Sequence, residues 1–189
     1  MTSGIGEFQL VLDATCLSHF ARSDRLDVLA DLLAGIPTSI PHVVREEIRH
    51  GTALHQELQA VLDAQWLQVM PLDTLERLQR FTVWARRLGS GERDLGEASV
   101  LATAEELNVV ALIDERGATA VGRAHGIHVH GTIWLLAKAC REGKLTEVAA
   151  SNLIDSLVAS GMRLPCTGAT FSGFATSNNL FTVLDCDRS

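Results

Sequence analysis

Four carboxylates, Asp13, Glu47, Glu97 and Asp114, stand where a fold can bring distant stretches of chain to one place. Asp13 directly follows the apolar run Phe8 to Leu12, and Asp114 directly follows Val109 to Ile113. Both runs read as short strands buried on both faces, the kind found in the middle of a parallel sheet. Ligands of open parallel sheets bind outside the carboxyl ends of the strands. If the two strands are neighbours, the two carboxylates share one edge. Glu47 lies in a helix opened by Pro41, next to the buried face made by Val43, Val44 and Ile48. Glu97 sits in the first turn of a helix starting at Asp94. Converging carboxylates repel and raise one another's pKa. A divalent cation such as Mg²⁺ or Mn²⁺ offsets that repulsion with oxygen ligands and leaves positions for water and phosphate. The chemistry of such a group is metal-assisted phosphoryl hydrolysis.

Each acid also has a plain structural reading. Asp after a strand is a common turn residue and helix cap. Glu47, like its neighbour Glu46, reads equally as a solvated helix carboxylate. Asp94 and Glu97 have capping-box spacing, and the helix dipole favours Glu in a first turn. Thr132, between Gly131 and Ile133, is either a hydroxyl brought to the site or a helix N-cap. His125, His128 and His130 fall within six residues. They suit a transition metal in type, but no Cys is near, so surface histidines are the plainer reading. Arg77, Arg80, Arg86, Arg87 and Arg93, interleaved with Phe81 and Trp84, form the only basic stretch. With the aromatics packed inward, Arg86 and Arg87 become candidate RNA-phosphate contacts; a solvated helix face is the alternative.

The elements that must hold these groups alternate. Strands are expected over Phe8 to Leu12, Ile36 to Ile40, Trp66 to Met70, Val109 to Ile113 and Ile127 to Val129. Helices are expected over Leu17 to Leu33, from Pro41 to Gly51, and over Thr52 to Ala64, Asp73 to Leu88 and Asp94 to Leu107. Further helices follow over Ala118 to Ala124, Ile133 to Arg141 and Glu147 to Ser160, with a break at Gly89-Ser90-Gly91. Alternation of this kind predicts an α/β fold, three layers around a central parallel sheet. Residues 1–164 read as one domain. The segment 165–189, rich in Thr, Ser, Gly and Asn, reads as a disordered tail or an appended strand, with a late apolar patch from Leu180 to Leu184.

The chain's 189 residues suffice for one domain with a real core. An apolar fraction of 47% excludes a mostly disordered chain. A net charge of −7 argues against coating nucleic acid by bulk charge, but leaves room for phosphates held through bound cations. No apolar run approaches the roughly 20 residues a bilayer requires. The first residues lack a basic segment and an apolar core, so no secretion signal is expected. Four scattered cysteines without a CxxC pair fit cytosolic thiols and a cytoplasmic location.

Four segments in order carry a resemblance: Leu12-Asp13-Ala14-Thr15, Pro41-His42-Val43-Val44-Arg45-Glu46-Glu47-Ile48, Gly96-Glu97-Ala98-Ser99 and Leu112-Ile113-Asp114-Glu115-Arg116. Together they resemble the acidic motifs of PIN domains, metal-dependent nucleases that include the VapC-like ribonuclease toxins of toxin–antitoxin pairs. The later segments Ala124-His125-Gly126-Ile127 and Gly131-Thr132-Ile133-Trp134-Leu135-Leu136 resemble a less characterised PIN-like subfamily. The resemblance runs from about residue 8 to 164. It implies a PIN-like α/β/α fold and a Mg²⁺- or Mn²⁺-dependent endoribonuclease leaving a 3′-hydroxyl and a 5′-phosphate. It also implies that Asp13, Glu47, Glu97 and Asp114 are the metal-binding and catalytic carboxylates. Glu115 would be an auxiliary acid, and Thr15 a supporting or phosphate-contacting hydroxyl. An RNA substrate, a small antitoxin protein and a homodimer are the implied partners. A catalytically weak PIN-like module that binds RNA or protein is the alternative. A phosphoacceptor using Asp13 ranks lower, because Asp13-Ala14-Thr15 lacks the second acid such folds carry.

Overall fold

Leu10, Val11 and Leu12 offer water no polar side chain on either face, and they form the middle strand of the sheet. A computed structural model describes residues 8–89 and 94–182. Its strands are β1 (Leu10–Leu12), β2 (Thr38–Pro41), β3 (Leu67–Met70), β4 (Val110–Leu112) and β5 (Val129–His130), all parallel, in the order β3-β2-β1-β4-β5. β4, Val-Ala-Leu, is as fully buried as β1, while β3 is half-exposed at one edge. Leu12 pairs with Leu112, so the carboxyl ends of β1 and β4 finish level, at the point where the strand order reverses.

The helices are α1 (Ala14–Arg22), α2 (Leu26–Leu33), α3 (His42–Gly51), α4 (Gln59–Leu62), α5 (Leu75–Leu88), α6 (Leu95–Leu107), α7 (Arg116–Ala124), α8 (Thr132–Arg141), α9 (Glu147–Ala159) and α10 (Phe171–Ser177). Right-handed crossovers place α1–α4 on one face of the sheet and α5–α7 on the other. The result is the expected three-layer α/β/α arrangement. α9 joins the first layer. His19 Nδ1 of α1 lies 2.8 Å from Ser160 Oγ, and Ser23 Oγ donates to Ser156 O at 3.3 Å. Among the described residues no helix is long and apolar enough to cross a membrane.

The structure redraws three elements. The single helix expected over Leu17 to Leu33 is two, because Asp24 adopts a left-handed φ of 54° and turns the chain between α1 and α2. Asp tolerates that region better than most residues. The helix expected over Thr52 to Ala64 is a turn, a 3₁₀ segment Gln56–Leu58 and the short α4, since Thr52 Oγ1 folds back onto Arg49 O at 2.7 Å and closes α3 there.

The third correction concerns the segment after Pro165, which is neither disordered nor a strand over its described part. A 3₁₀ turn, Gly168–Thr170, leads into α10, and Phe171 and Ala175 are fully buried. Gly168 N donates to Asp155 Oδ1 at 2.8 Å, and a Cβ added at Gly168 would collide with Ser151 O of α9. Only glycine permits that approach. The Thr, Ser and Gly content that suggested a loose tail supplies caps and close packing instead. Ser90, Gly91, Arg93, Val183, Leu184 and Cys186, which figured in the expected break, basic stretch, apolar patch and cysteine count, lie outside the described residues.

Candidate active site at the carboxyl edge of the sheet

Asp13 leaves β1 and caps α1, accepting Thr15 N at 3.2 Å. Its own N–H donates to Leu112 O at 3.1 Å, which ties the end of β1 to the end of β4. Asp114 follows β4 and is held at both oxygens by the start of α8. Thr132 N donates to Oδ1 at 2.8 Å and Thr132 Oγ1 to Oδ2 at 2.6 Å. Glu47 comes from α3, behind β2, and Glu97 from the first turn of α6. Gly96 joins two of these acids. A Cβ built there would lie 2.7 Å from Glu47 Oε2 and 3.6 Å from Asp13 Oδ1, so both carboxylates close on bare backbone. Gly96→Ala is therefore expected to push the Glu47 carboxylate aside while leaving the fold intact, because the displaced group is the far end of a flexible side chain and Ala favours helix. Unchanged melting with Mn²⁺ affinity reduced roughly tenfold (about 1.4 kcal/mol), read by thermal denaturation and calorimetry, is the expected pattern.

Electrostatics couples the four. Asp13 is 2% exposed, and burial raises its pKa despite hydrogen bonds from Thr15 and Ala14 at the start of α1. Burial and then the Asp13 charge raise Glu47. Burial, Asp13, Glu47 and Asp94 together push Glu97 up to about 7. Burial also raises Asp114, with Asp13 adding to it and the Thr132 hydrogen bonds pulling the other way. Asp13 is thus the hub: its charge acts on each of the other three. Among the described residues none of the four has an ion pair with Lys or Arg. Cys16 lies below, its thiol pushed up by burial and by Asp114, so it stays protonated.

The donors are all carboxylate oxygens, the set a hard divalent cation takes. Their charge is uncompensated by protein, as a cation site requires. Among the described residues, however, no group of three or more His, Cys, Asp or Glu is already gathered about one ion position. The four acids fit a cation in kind and in coupling, and they converge on it only with side-chain movement. Thr132 anchors the most constrained of them. Thr132→Val keeps the shape and strips one bond from a half-buried carboxylate. Unfolding in urea is expected to show a loss of about 1–3 kcal/mol.

The remaining sequence candidates separate. Thr132 is the first residue of α8, with Gly131 as its cap, so its hydroxyl serves Asp114 rather than a cap. Thr15 faces the same cleft. Glu115 caps α7, accepting Ala118 N at 2.6 Å. The expected Asp94 side-chain cap on α6 is absent, while Glu97 keeps its place in the first turn, where the helix dipole favours an acid. Much of the basic face of α5 is spent on α6: Arg77 Nε donates to Glu106 at 2.9 Å, Arg80 lies 3.5 Å from Glu105, and Trp84 Nε1 donates to Glu105 at 3.0 Å. Arg87 sits 4.5 Å above the Trp84 ring and 3.9 Å from Glu105. Neither Arg86 nor Arg87 lines the cleft beside the acids. The histidines part as well: His125 Nδ1 lies 2.9 Å from Val121 O, and His130 stacks on Trp134 with centroids 4.1 Å apart.

A cleft of about 970 Å³ opens beside the acids and takes in Thr15, Glu97 and Asp114. Its walls carry residues that sequence reasoning passed over: His19, Arg116, Arg123 and Arg163. The signal for two of them was present. Arg116, Thr119, Ala120 and Arg123 stand at i, i+3, i+4 and i+7 on α7 and share one face.

The model of one known family, DUF3368, a PIN domain, matches residues 9–168. No curated protein and no solved structure matches the chain.

Proposed function

From the chain's membership of the PIN-domain family, whose members are generally nucleases that use divalent metals, we propose that it is a Mg²⁺- or Mn²⁺-dependent endoribonuclease. The observation that supports this reading is the set of four carboxylates from four elements, coupled through Asp13 and lacking any ion pair among the described residues. Asp13, Glu47, Glu97 and Asp114 would hold the cation, with Thr132 fixing Asp114 and the α6 backbone at Gly96 seating Glu47. A bound divalent ion supplies the positive charge that lets these acids ionise together and lowers the pKa of an attacking water. Thr15, beside Asp13 at the cleft, would support that acid with its hydroxyl or contact a phosphate. Incubation with total RNA and Mn²⁺, with and without chelator, should produce new ends bearing 3′-hydroxyls and 5′-phosphates in the metal-containing sample alone. Ends that also form in chelator would remove the assignment.

The family's VapC-like branch extends the proposal to the toxin of a toxin–antitoxin pair, working in the cytoplasm as a homodimer. A small antitoxin would then place a basic side chain among the unpaired acids. An adjacent gene for a small DNA-binding protein, whose product co-purifies and blocks cleavage, is the corresponding result.

One observation favours a second reading, a PIN-like module that binds RNA or protein without cutting it: the acids are not already gathered about an ion. Isothermal titration with Mn²⁺ separates the two, because the module shows no binding at millimolar metal.

A further inference from the structure

The geometry points to a substrate track distinct from the acid cluster: Arg116 and Arg123 of α7, with Arg163 from the loop after α9, take the phosphates of an unpaired RNA strand. The segment from Arg163 to Leu180 forms the wall against which its bases lie. This assignment rests on the nuclease reading, because track and acids share one cleft through Thr15, Glu97 and Asp114.

Charge carries the first half. The chain is acidic overall, yet three exposed arginines line a single cleft. Arg116 and Arg123 lie two turns apart on one face of α7, about 10 Å along the axis. Arg123 spends Nε and Nη2 on Val129 O, at 3.0 and 2.7 Å, which fixes the guanidinium and leaves Nη1 to donate. Arg116 and Arg163 have no hydrogen bond or ion pair among the described residues. They line the cleft that takes in Glu97 and Asp114 without pairing to either. Three arginines of α5, Arg77, Arg80 and Arg87, behave in the opposite way and pair with Glu105 and Glu106. Acids and arginines therefore answer to different charges: the acids to a cation, the arginines to an anion spaced like a phosphate backbone.

The wall carries the second half. Phe174 of α10, Pro165 and Leu180 bring apolar surface to the cleft. Burial of Phe171 and the bond from Arg141 to Leu180 O hold that segment in place. Phe174 and Leu180 lie beyond the residues matched by the family, while Pro165 lies within them. Apolar side chains facing a phosphate track suit the exposed faces of unpaired bases. A duplex keeps its bases stacked inside and cannot offer them.

The test is fluorescence anisotropy with the full chain carrying Asp13→Asn, in chelator so that nothing is cut. The probes are a labelled unstructured RNA of about 12 nucleotides and the blunt duplex of the same sequence. Arg116→Ala and Arg163→Ala should each lower the salt slope of single-strand binding by about 0.7. Phe174→Ala should weaken binding about fivefold or more with the slope unchanged. Arg86→Ala should leave both unaltered, and the duplex should bind more weakly. Parent-like slopes in the Arg116 and Arg163 variants, or tighter duplex binding, overturn the track. The cleavage assay of the unmodified protein is read separately. Cleavage with parent-like slopes keeps the nuclease reading and removes the track; track-dependent binding without cleavage does the reverse. Neither binding nor cleavage removes both.

Discussion

Asp13→Asn is expected to lower RNA cleavage by about 10²- to 10³-fold and, in the metal-free protein, to raise the melting temperature. The two effects have one cause. Asp13 is 2% exposed, and its pKa is raised because burial outweighs the hydrogen bonds at the start of α1. Keeping that carboxylate charged at neutral pH costs stability, since desolvation disfavours the ionised form. Asparagine has the same shape and keeps an oxygen for Thr15 N, so the cap survives while the charge goes. The same change removes the hub through which Glu47, Glu97 and Asp114 are coupled. Function and stability therefore oppose each other at this position. Thermal denaturation in chelator, beside a cleavage assay in Mn²⁺, checks both. A lower melting temperature together with lost activity would reduce Asp13 to a structural cap.

The second large effect joins pH, metal and stability. All four acids have folded-state pKa values above their ordinary ones, and Glu97 stands at about 7. Between about pH 4 and the raised values, the folded chain holds more protons than the unfolded chain. Stability of the metal-free protein should therefore fall as pH rises through that window, and for Glu97 the loss is complete only above about 7. A cation held by the ionised acids of the folded state would reverse the trend. At metal a thousandfold above its dissociation constant the gain is about 4 kcal/mol, roughly 8–16 °C for a chain of this size. That shift should be large at pH 7.5 and small at pH 5.5, where protons compete for the same oxygens, and cleavage should rise with pH through about 7. Melting curves at both pH values with and without Mn²⁺ read it directly. A shift equal at the two pH values, or none, would favour the non-cutting module.

Much of this was legible in the residues. The uninterrupted apolar runs before Asp13 and Asp114 identified the two central strands, and the helical spacing after each identified the crossovers. What failed were features without a local signal. Leu17 to Leu33 kept helical spacing across Asp24, and periodicity alone does not show a left-handed residue. The Thr- and Gly-rich stretch after Pro165 looked loose because its burial comes from α9, not from its own composition.

The electrostatic assignments show the same division. Arg86 and Arg87 read as a phosphate face by sequence; Arg87 meets Trp84 and Glu105, and neither lines the cleft beside the acids. The arginines of α7 carried the same periodic signal with fewer charges. The apolar strand runs, the helical spacing between them and the succession of acids come from near neighbours in the chain, which a sequence displays. Which acids are coupled, which arginines stay unpaired and which surface borders them depend on contacts between elements tens of residues apart. Those contacts exist only after the sheet is assembled and its helices have packed.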